Sequence, residues 1–458
     1  MQTTPRSVSQ ALNEAPLSVF HLRAMLTAGA GFFTDAYDLF IIGVALVFIK
    51  QQWHPPAFEL GLVTSTALIA AFVGAFVFGR LADMYGRKKV YGIEAAIMAL
   101  AAILSAFSPS IVWLIVFRFI LGVGIGGDYP VSAVLMSEYA NAKDRGRLVG
   151  MVFSMQALGL IAGPIVALTI LSVGMPQDLA WRVMLGLGAV PALAVIYLRR
   201  TMPESPRYLA QVRGQAGEAA RSLESFSQKV VVVDQAADRP VRASLSRYII
   251  TLLGTAGTWF VFDYAYYGNS ISTPLIMKMV APNASETTGI AWTLIIFALA
   301  AVPGYILAFS KMDRIGHRKL QLIGFAVMGL AFLAIGVIPH VATSLAPFLV
   351  LYGLSYFFAE FGPNTTTFVL SAELFPVNLR TTGHGLSAGI AKVGAFIGVF
   401  LFPVMSTALG LAGTLTITFL FSVAGFLLTL LLPEPSGKTL EQIAHEDEEM
   451  PPAVVNLG

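Results

Sequence analysis

The sequence has no cysteine, which excludes a disulfide framework, a thiolate metal site and a thiol nucleophile. Charge is nearly as scarce. Only 12% of the 458 residues are charged, about half the roughly 25% of soluble domains. Against them stand 56% hydrophobic residues and a mean hydropathy of +0.74. The length would allow two or three soluble domains, but 29 basic and 26 acidic side chains cannot cover so much apolar bulk. A net charge of +3 is too small for a nucleic-acid surface, so no nucleic-acid partner is expected. The six histidines form no His-Glu-x-x-His pattern, and no metal site is expected. Two apparent nucleotide motifs fail on context. Gly122-Val-Gly124-Ile-Gly126-Gly127 satisfies G-x-G-x-x-G but lies inside an apolar run, where it reads as small residues for close helix packing. Ser436-Gly437-Lys438-Thr439 mimics the end of a P-loop, yet Leu432 stands where its first glycine belongs. No enzyme and no cofactor is expected. The composition is that of a polytopic membrane protein.

A membrane-spanning helix takes about 20 residues, and hydropathy predicts twelve spans. They lie near 22–49, 59–82, 89–107, 110–137, 147–173, 180–199, 248–277, 288–310, 319–339, 343–372, 382–409 and 413–432. The first sixteen residues are polar, contain Pro5 and Pro16, and have no signal-peptide layout, so the first span is expected to be retained. With both termini cytoplasmic, the inner segments hold 24 of the 29 Lys and Arg; Lys50, Arg182 and Lys278 fall outside, and Arg118 and Lys392 lie within spans. The positive-inside rule selects this orientation. The longest polar stretch, 201–247, reads as a cytoplasmic linker with a short amphipathic helix. It separates an N-terminal unit, 1–200, from a C-terminal one, 248–435. The tail at 436–458, with its acidic run Glu446 to Glu449, is expected to be partly disordered.

The two units repeat one another. Asp83-Met-Tyr-Gly86-Arg-Lys-Lys89 meets Asp313-Arg-Ile-Gly316-His-Arg-Lys319 at an offset of 230. Gly29, Phe32 and Asp35 meet Gly257, Phe260 and Asp263 at 228, and Leu135, Glu138, Arg145 and Gly150 meet Leu370, Glu373, Arg380 and Gly385 at 235. The expected fold is therefore an all-α membrane protein of twelve transmembrane helices in two pseudo-symmetric six-helix bundles, with the substrate near the midplane between them. The loop Gly79-Arg-Leu-Ala-Asp83-Met-Tyr-Gly86-Arg87-Lys88-Lys89 resembles the signature loop of the major facilitator superfamily. Its second copy departs from the pattern, with Phe309 for a glycine and His317 at a basic position. Pro203-Glu204-Ser205-Pro206-Arg207 and Glu373-Leu-Phe-Pro-Val-Asn-Leu-Arg380 resemble gating elements of its sugar-porter-like members. Asp83, Arg87, Glu138, Arg145, Glu204, Arg207, Glu373 and Arg380 are the candidates for an inner gate of ion pairs.

Charges inside spans are costly and mark function. They are Asp35, Asp38, Glu94, Arg118, Asp128, Asp263, Glu360 and Lys392. At a rise of about 1.5 Å per residue, Asp35, Asp128, Asp263 and Lys392 lie roughly 15–22 Å from the inner ends of their spans, in a core about 30 Å thick. Trp259, Asp263 and Tyr267 share one helix face at i, i+4 and i+8. Gly127-Asp128-Tyr129-Pro130 and Gly362-Pro363-Asn364-Thr365 lie 235 apart, each joining Gly to Pro within a span, as expected where helices distort around a cavity. Gln156 falls at the same depth. Neutral donors, one lysine and several carboxylates suit a small oxyanion better than a sugar. Desolvated carboxylates there would also supply proton coupling.

Phe32-Phe-Thr-Asp35-Ala-Tyr-Asp38, Gly126-Gly-Asp128-Tyr129-Pro130, Trp259-Phe-Val-Phe-Asp263-Tyr-Ala-Tyr-Tyr267 and Phe361-Gly-Pro-Asn364-Thr-Thr-Thr-Phe368 resemble the proton-coupled inorganic phosphate symporters of that superfamily, over about residues 20–440. The resemblance implies that Tyr129, Gln156, Trp259, Asp263, Tyr267 and Asn364 contact phosphate and that Lys392 assists its binding or release. It also implies a proton path through Asp35, Asp38 and Asp128, joined at Asp263. Glu360 departs from the pattern, since a neutral residue is expected there. The implied protein is a plasma-membrane importer of phosphate and protons, working as a monomer in the bilayer. A symporter of another solute, an organic anion or a sugar, and a non-transporting nutrient sensor of the same fold are the alternatives.

Overall fold

The computed structural model describes residues 7–227 and 241–446. Among them, eleven helices are long and apolar enough to cross a membrane. In chain order the first ten are α1 (Val19–Trp53), α2 (Phe58–Tyr85), α3 (Arg87–Ala106), α4 (Ile111–Tyr139), α5 (Arg145–Ser172), α6 (Gln177–Arg199), α7 (Leu245–Ile271), α8 (Thr287–Ile315), α9 (His317–Val337) and α10 (Leu345–Glu373). The eleventh, Arg380–Thr429, runs for 50 residues, too long for one crossing. Gly410 breaks it at φ 68°, ψ 174°, a conformation that only a residue without Cβ adopts at little cost. It is therefore two spans, α11 (380–409) and α12 (411–429), and twelve helices result as expected. Their outward faces carry exposed Leu100, Val190, Leu253, Leu299, Val350 and Leu427, the surface that lipid covers.

Small residues set the packing. A Cβ on Gly122 or Gly126 of α4 would stand 2.2 or 2.0 Å from the Ala67 or Ala71 carbonyl oxygen of α2. The G-x-G-x-x-G run is thus a helix contact. The halves α1–α6 and α7–α12 meet along α2 and α11, where Gly79 and Gly385 let the two backbones touch.

The repeat is exact in backbone where it matters for the turns. Gly86 (φ 108°, ψ 150°) and Gly316 (φ 103°, ψ 138°) open α3 and α9 in the same left-handed conformation. At each turn a carboxylate caps the new helix. Glu204 accepts from the Arg87 and Lys88 amides, both at 3.1 Å. Glu434 accepts from those of His317 and Arg318, at 2.8 and 3.1 Å. Glu204 and Glu434 are themselves 230 residues apart, in Pro203-Glu204 and Pro433-Glu434. The negative group sits at the positive end of the helix dipole.

One expectation is corrected. Pro130 does not interrupt α4, which stays helical throughout. Of the two Gly–Pro stretches only that in α10 is distorted: Glu360–Asn364 widens to a π-turn and Gly362 leaves the helical region at φ −111°, ψ −108°. Pro363 has no N–H to give its helix. The first part of the tail is ordered: residues 436–446 form the capped helix Leu440–Ile443 and bond to the inner helix ends. The remainder of the tail, including the acidic residues after Glu446, and linker residues 228–240 lie outside the described residues. The amphipathic linker helix is Ala216–Ser227.

Candidate substrate site and inner gate

Lys392 of α11 is buried at the centre, where its ammonium needs an anion. Its Nζ donates to Asp263 Oδ2 at 2.8 Å and to the Tyr267 hydroxyl at 3.1 Å, both on α7. The ammonium also lies over the Tyr129 and Tyr267 rings, 4.6 and 4.3 Å from their centroids. Tyr129 of α4 meets Tyr267 hydroxyl to hydroxyl at 3.3 Å and accepts from Gln156 Nε2 of α5 at 3.0 Å. The chain continues through Tyr305 of α8, which donates to Gln156 Oε1 at 3.4 Å and accepts from Asn364 Nδ2 at 2.8 Å. Asn364 also donates to Glu360 at 2.5 Å. Trp259 faces the Asp263 carboxyl and packs its ring 6.1 Å from that of Tyr129. All seven residues expected to contact substrate thus belong to one buried network drawn from both halves.

Aromatic rings close this network on two sides. Toward the outer ends, Phe40 of α1 stacks on Tyr267 and edges against Tyr266 and Phe297. Toward the inner ends, Phe153 of α5 stacks on Phe368 of α10 at 4.5 Å, with Phe32 edge-on at 5.0 Å to Phe368. The site is closed on both sides, and its donors bond to one another.

The carboxylates of the N-terminal half form a second group. Asp128 and Glu94 both bind Arg199, at 2.6 Å each, and Ser132 donates to Asp128. The Arg199 guanidinium lies 4.2 Å over the Tyr91 ring. The sequence reading counted Arg199 only among the inner Lys and Arg; it turns inward because two buried acids demand a cation. Gly31 makes room for this pair beside α1. Asp35 is fully buried, and neither of its carboxyl oxygens has a partner among the described residues; its charged neighbours are Asp128, Arg199, Asp38 and Lys392. Arg118 donates to the Asp38 backbone carbonyl at 2.9 Å.

The inner ends are joined across the halves by the expected gate residues. Arg145 binds Glu373 at 2.9 Å, and Arg380 binds Glu138 at 3.1 Å. Arg87 binds Asp83 and Glu138 at 3.1 and 3.0 Å and donates to the Val377 carbonyl at 2.8 Å. Asp83 accepts from the Thr382 amide at 2.6 Å. Arg207 pairs with Glu441 and donates to the Glu138 carbonyl at 3.3 Å; burial and the neighbouring Arg380 pull its guanidinium down to about 9. Glu204 caps α3 and, among the described residues, is not paired across the halves. Burial pushes its carboxyl above the ordinary value.

Sequence reasoning missed four participants. His317 joins the gate through Glu373 at 3.1 Å, and its place in the repeated loop was the available signal. Glu446 binds Arg380 at 2.8 Å and accepts from the Val377 amide at 2.8 Å. Arg199 and Tyr305 stood in otherwise ordinary contexts.

The sequence profile described as "Sugar (and other) transporter" matches residues 24–446. Inorganic phosphate transporter 1-6 of Oryza sativa subsp. japonica is 35% identical, over 97% of this chain and 97% of its own. Low affinity inorganic phosphate transporter 4 of Medicago truncatula is 36% identical, over 96% and 94%. Inorganic phosphate transporter 1-1 of Arabidopsis thaliana is 35% identical, over 96% and 98%. Among solved structures, the proton:xylose symporter XylE bound to 6-bromo-6-deoxy-D-glucose superposes with a TM-score of 0.83 at 20% identity, over 94% of this chain and 99% of that one. XylE from E. coli in a partially occluded inward open conformation gives 0.71, also at 20% identity, over 91% and 99%. The fold is that of the major facilitator superfamily.

Proposed function

The chain belongs to the sugar (and other) transporter family, and on that footing we propose that it imports inorganic phosphate together with protons by alternating access. The observation that carries this reading is the buried Lys392–Asp263 pair at the centre of neutral donors. The cation suits an oxyanion. Its present partner, Asp263, occupies the place that the anion must take, so phosphate and the Asp263 negative charge compete for Lys392. A proton on Asp263 ends that competition and leaves its carboxyl able to donate a hydrogen bond to a phosphate oxygen. Tyr129, Gln156, Trp259, Tyr267 and Asn364 supply further hydrogen bonds to the anion. Binding of proton and substrate then support each other, as symport requires.

Asp35, Asp38 and Asp128 form the proton path on this reading; among the described residues Asp128 is the member in an ion pair, with Arg199, and neither oxygen of Asp35 has a partner. The cross-half bonds of Asp83, Arg87, Glu138, Arg145, Glu373 and Arg380 keep the inner side shut, and Glu204 and Arg207 brace them. The units are 1–200, 201–247, 248–435 and 436–458. The protein resides in the plasma membrane as a monomer with both termini cytoplasmic, the orientation that the Lys and Arg distribution favours.

The test is labelled phosphate uptake into proteoliposomes with an imposed pH gradient. Uptake is expected to rise with acid outside and to collapse with a protonophore. Sodium-dependent uptake unaffected by the protonophore refutes the coupling, and transport of a sugar but not phosphate refutes the substrate. Specific phosphate binding without any flux refutes transport in favour of sensing.

A further inference from the structure

Glu360 is the acidic side chain of the site that the mechanism above does not use. It sits in the π-turn of α10 and is fully buried. Asn364 Nδ2 donates to its Oε2 at 2.5 Å, while Oε1 has no partner among the described residues. The groups that face it are the Tyr266 hydroxyl of α7, the Tyr305 hydroxyl of α8, and Tyr356 and Asn364 of its own helix. The Tyr266 hydroxyl, which faces Glu360, is itself buried and has no other hydrogen-bond partner among the described residues. On the α8 side Gly304 brings bare backbone against the Glu360 Cβ. Among the described residues no Lys, Arg or His forms an ion pair with Glu360, and the nearest cation of the network, Lys392, is bound to Asp263. A carboxylate enclosed in this way, without a cation, is far less favourable than the neutral acid.

Glu360 is also wired to the substrate donors. The Asn364 amide has two hydrogens, one directed to Tyr305 and one to Glu360. An anion arriving at Asn364 must take the hydrogen now given to Glu360. An ionised Glu360 would both retain that hydrogen and repel the anion. A protonated one releases it readily, since a neutral carbonyl oxygen is the weaker acceptor, and has an O–H of its own to offer.

We propose that Glu360 is a second proton-carrying carboxylate of the substrate site, protonated before Asn364 turns to the anion, so that each phosphate travels with one proton more than Asp263 alone supplies. This rests on the phosphate reading above and deepens it. The proton is taken up from the outer solution before the anion binds and leaves to the cytoplasm after it, with no bond other than O–H made or broken. The carboxyl thereby couples the π-turn of α10 to substrate occupancy.

Titration calorimetry of the full-length protein with phosphate, repeated in buffers of different ionisation enthalpy, counts the protons taken up per phosphate bound. At a pH where empty Glu360 is partly ionised, wild type is expected to take up more protons than Glu360→Gln and Glu360→Asn. The reversal of phosphate flux against opposed pH and phosphate gradients in proteoliposomes is expected to fall by one proton per phosphate in both variants. An unchanged reversal point in a folded variant overturns the proposal. A second measurement needs no phosphate: the infrared difference between wild type and Glu360→Gln near neutral pH should contain the C=O band of a protonated carboxyl. A carboxylate band in its place overturns the proposal as well. If wild type moves no phosphate, the substrate assignment fails, while the infrared band still decides whether Glu360 carries a proton.

Discussion

Replacing Asp263 by Asn separates binding from coupling. The substitution keeps the shape of the side chain, but it removes the negative charge that lies 2.8 Å from Lys392 Nζ. Both members of this pair are almost wholly buried, so solvent cannot take over the lost partner. Removing one member of a buried ion pair typically costs about 3–5 kcal/mol. The empty variant should therefore melt earlier than wild type. Bound phosphate restores an anion beside Lys392, so phosphate should raise the melting temperature of the variant more than that of wild type at alkaline pH. In wild type, rising pH ionises Asp263 and weakens phosphate binding; in Asp263→Asn the binding should be nearly flat with pH. Concentrative uptake should be lost, because the titrating group is gone. Asp263→Ala should bind more weakly still, at about 1–3 kcal/mol for each polar partner left unsatisfied. The measurements are phosphate binding and thermal unfolding against pH, with gradient-driven uptake in proteoliposomes. Accumulation of phosphate against its gradient by Asp263→Asn would refute the reasoning and move coupling to Asp35, Asp38 or Asp128.

Arg145→Ala removes the 2.9 Å bond to Glu373 on the far half. Transport should slow while equilibrium phosphate affinity stays within a few-fold, and total loss of binding in a folded variant would contradict a gating role. Gly86→Ala and Gly316→Ala force a Cβ into a left-handed turn and to 2.4 or 2.5 Å from the capping carboxylate. Each should lower stability by more than the roughly 1–2 kcal/mol of the backbone term alone, whereas Gly174→Ala, with φ +70° and open space, should show that term only; equal melting temperatures for all three would sink the capping account. Burial holds the Glu446 carboxyl above its ordinary value, so its ionisation costs stability as pH rises from the unfolded glutamate value through the higher folded one. Glu446→Gln should flatten the fall in melting temperature across that window, and a steeper fall would count against it.

The sequence disclosed those parts of the architecture that composition and periodicity encode. Twelve apolar runs, the 230-residue offset and the placing of charge were enough for the span order. The Trp259, Asp263 and Tyr267 spacing, with the depth of Lys392, brought the central pair to one level. Long-range geometry was less legible. Arg199 stands beside Arg200 at the end of an apolar run, a position that reads as an inner positive charge. Only the packing of α6 against α1 and α3 reveals that its guanidinium reaches Glu94 and Asp128. Tyr305 lies in an ordinary apolar stretch, and its link between Gln156 and Asn364 depends on where α8 crosses the site. Pro130 and Pro363 look equivalent in sequence, yet only α10 is distorted. In the C-terminal half the Gly324 backbone presses directly on Gly362, which the local sequence does not record.

The bonds at the inner face fall into two sets that must behave differently during transport. The carboxylates of Glu204 and Glu434 cap helices within their own halves and need not break when the halves rock apart. Arg145–Glu373, Arg380–Glu138, Arg87–Val377 and Asp83–Thr382 cross between halves and, on the gate reading proposed above, open for substrate to leave inward. Dry, each crossing bond would be a formidable barrier. Opening admits water, however, and an exposed pair is worth only about 0–1 kcal/mol. Solvation of the separated charges thus offsets most of what their separation loses. Phe153 on Phe368, stacked between the site and these ions, keeps that water away from Lys392 until the halves part. The same bonds can therefore seal the closed form tightly and still be broken once per cycle.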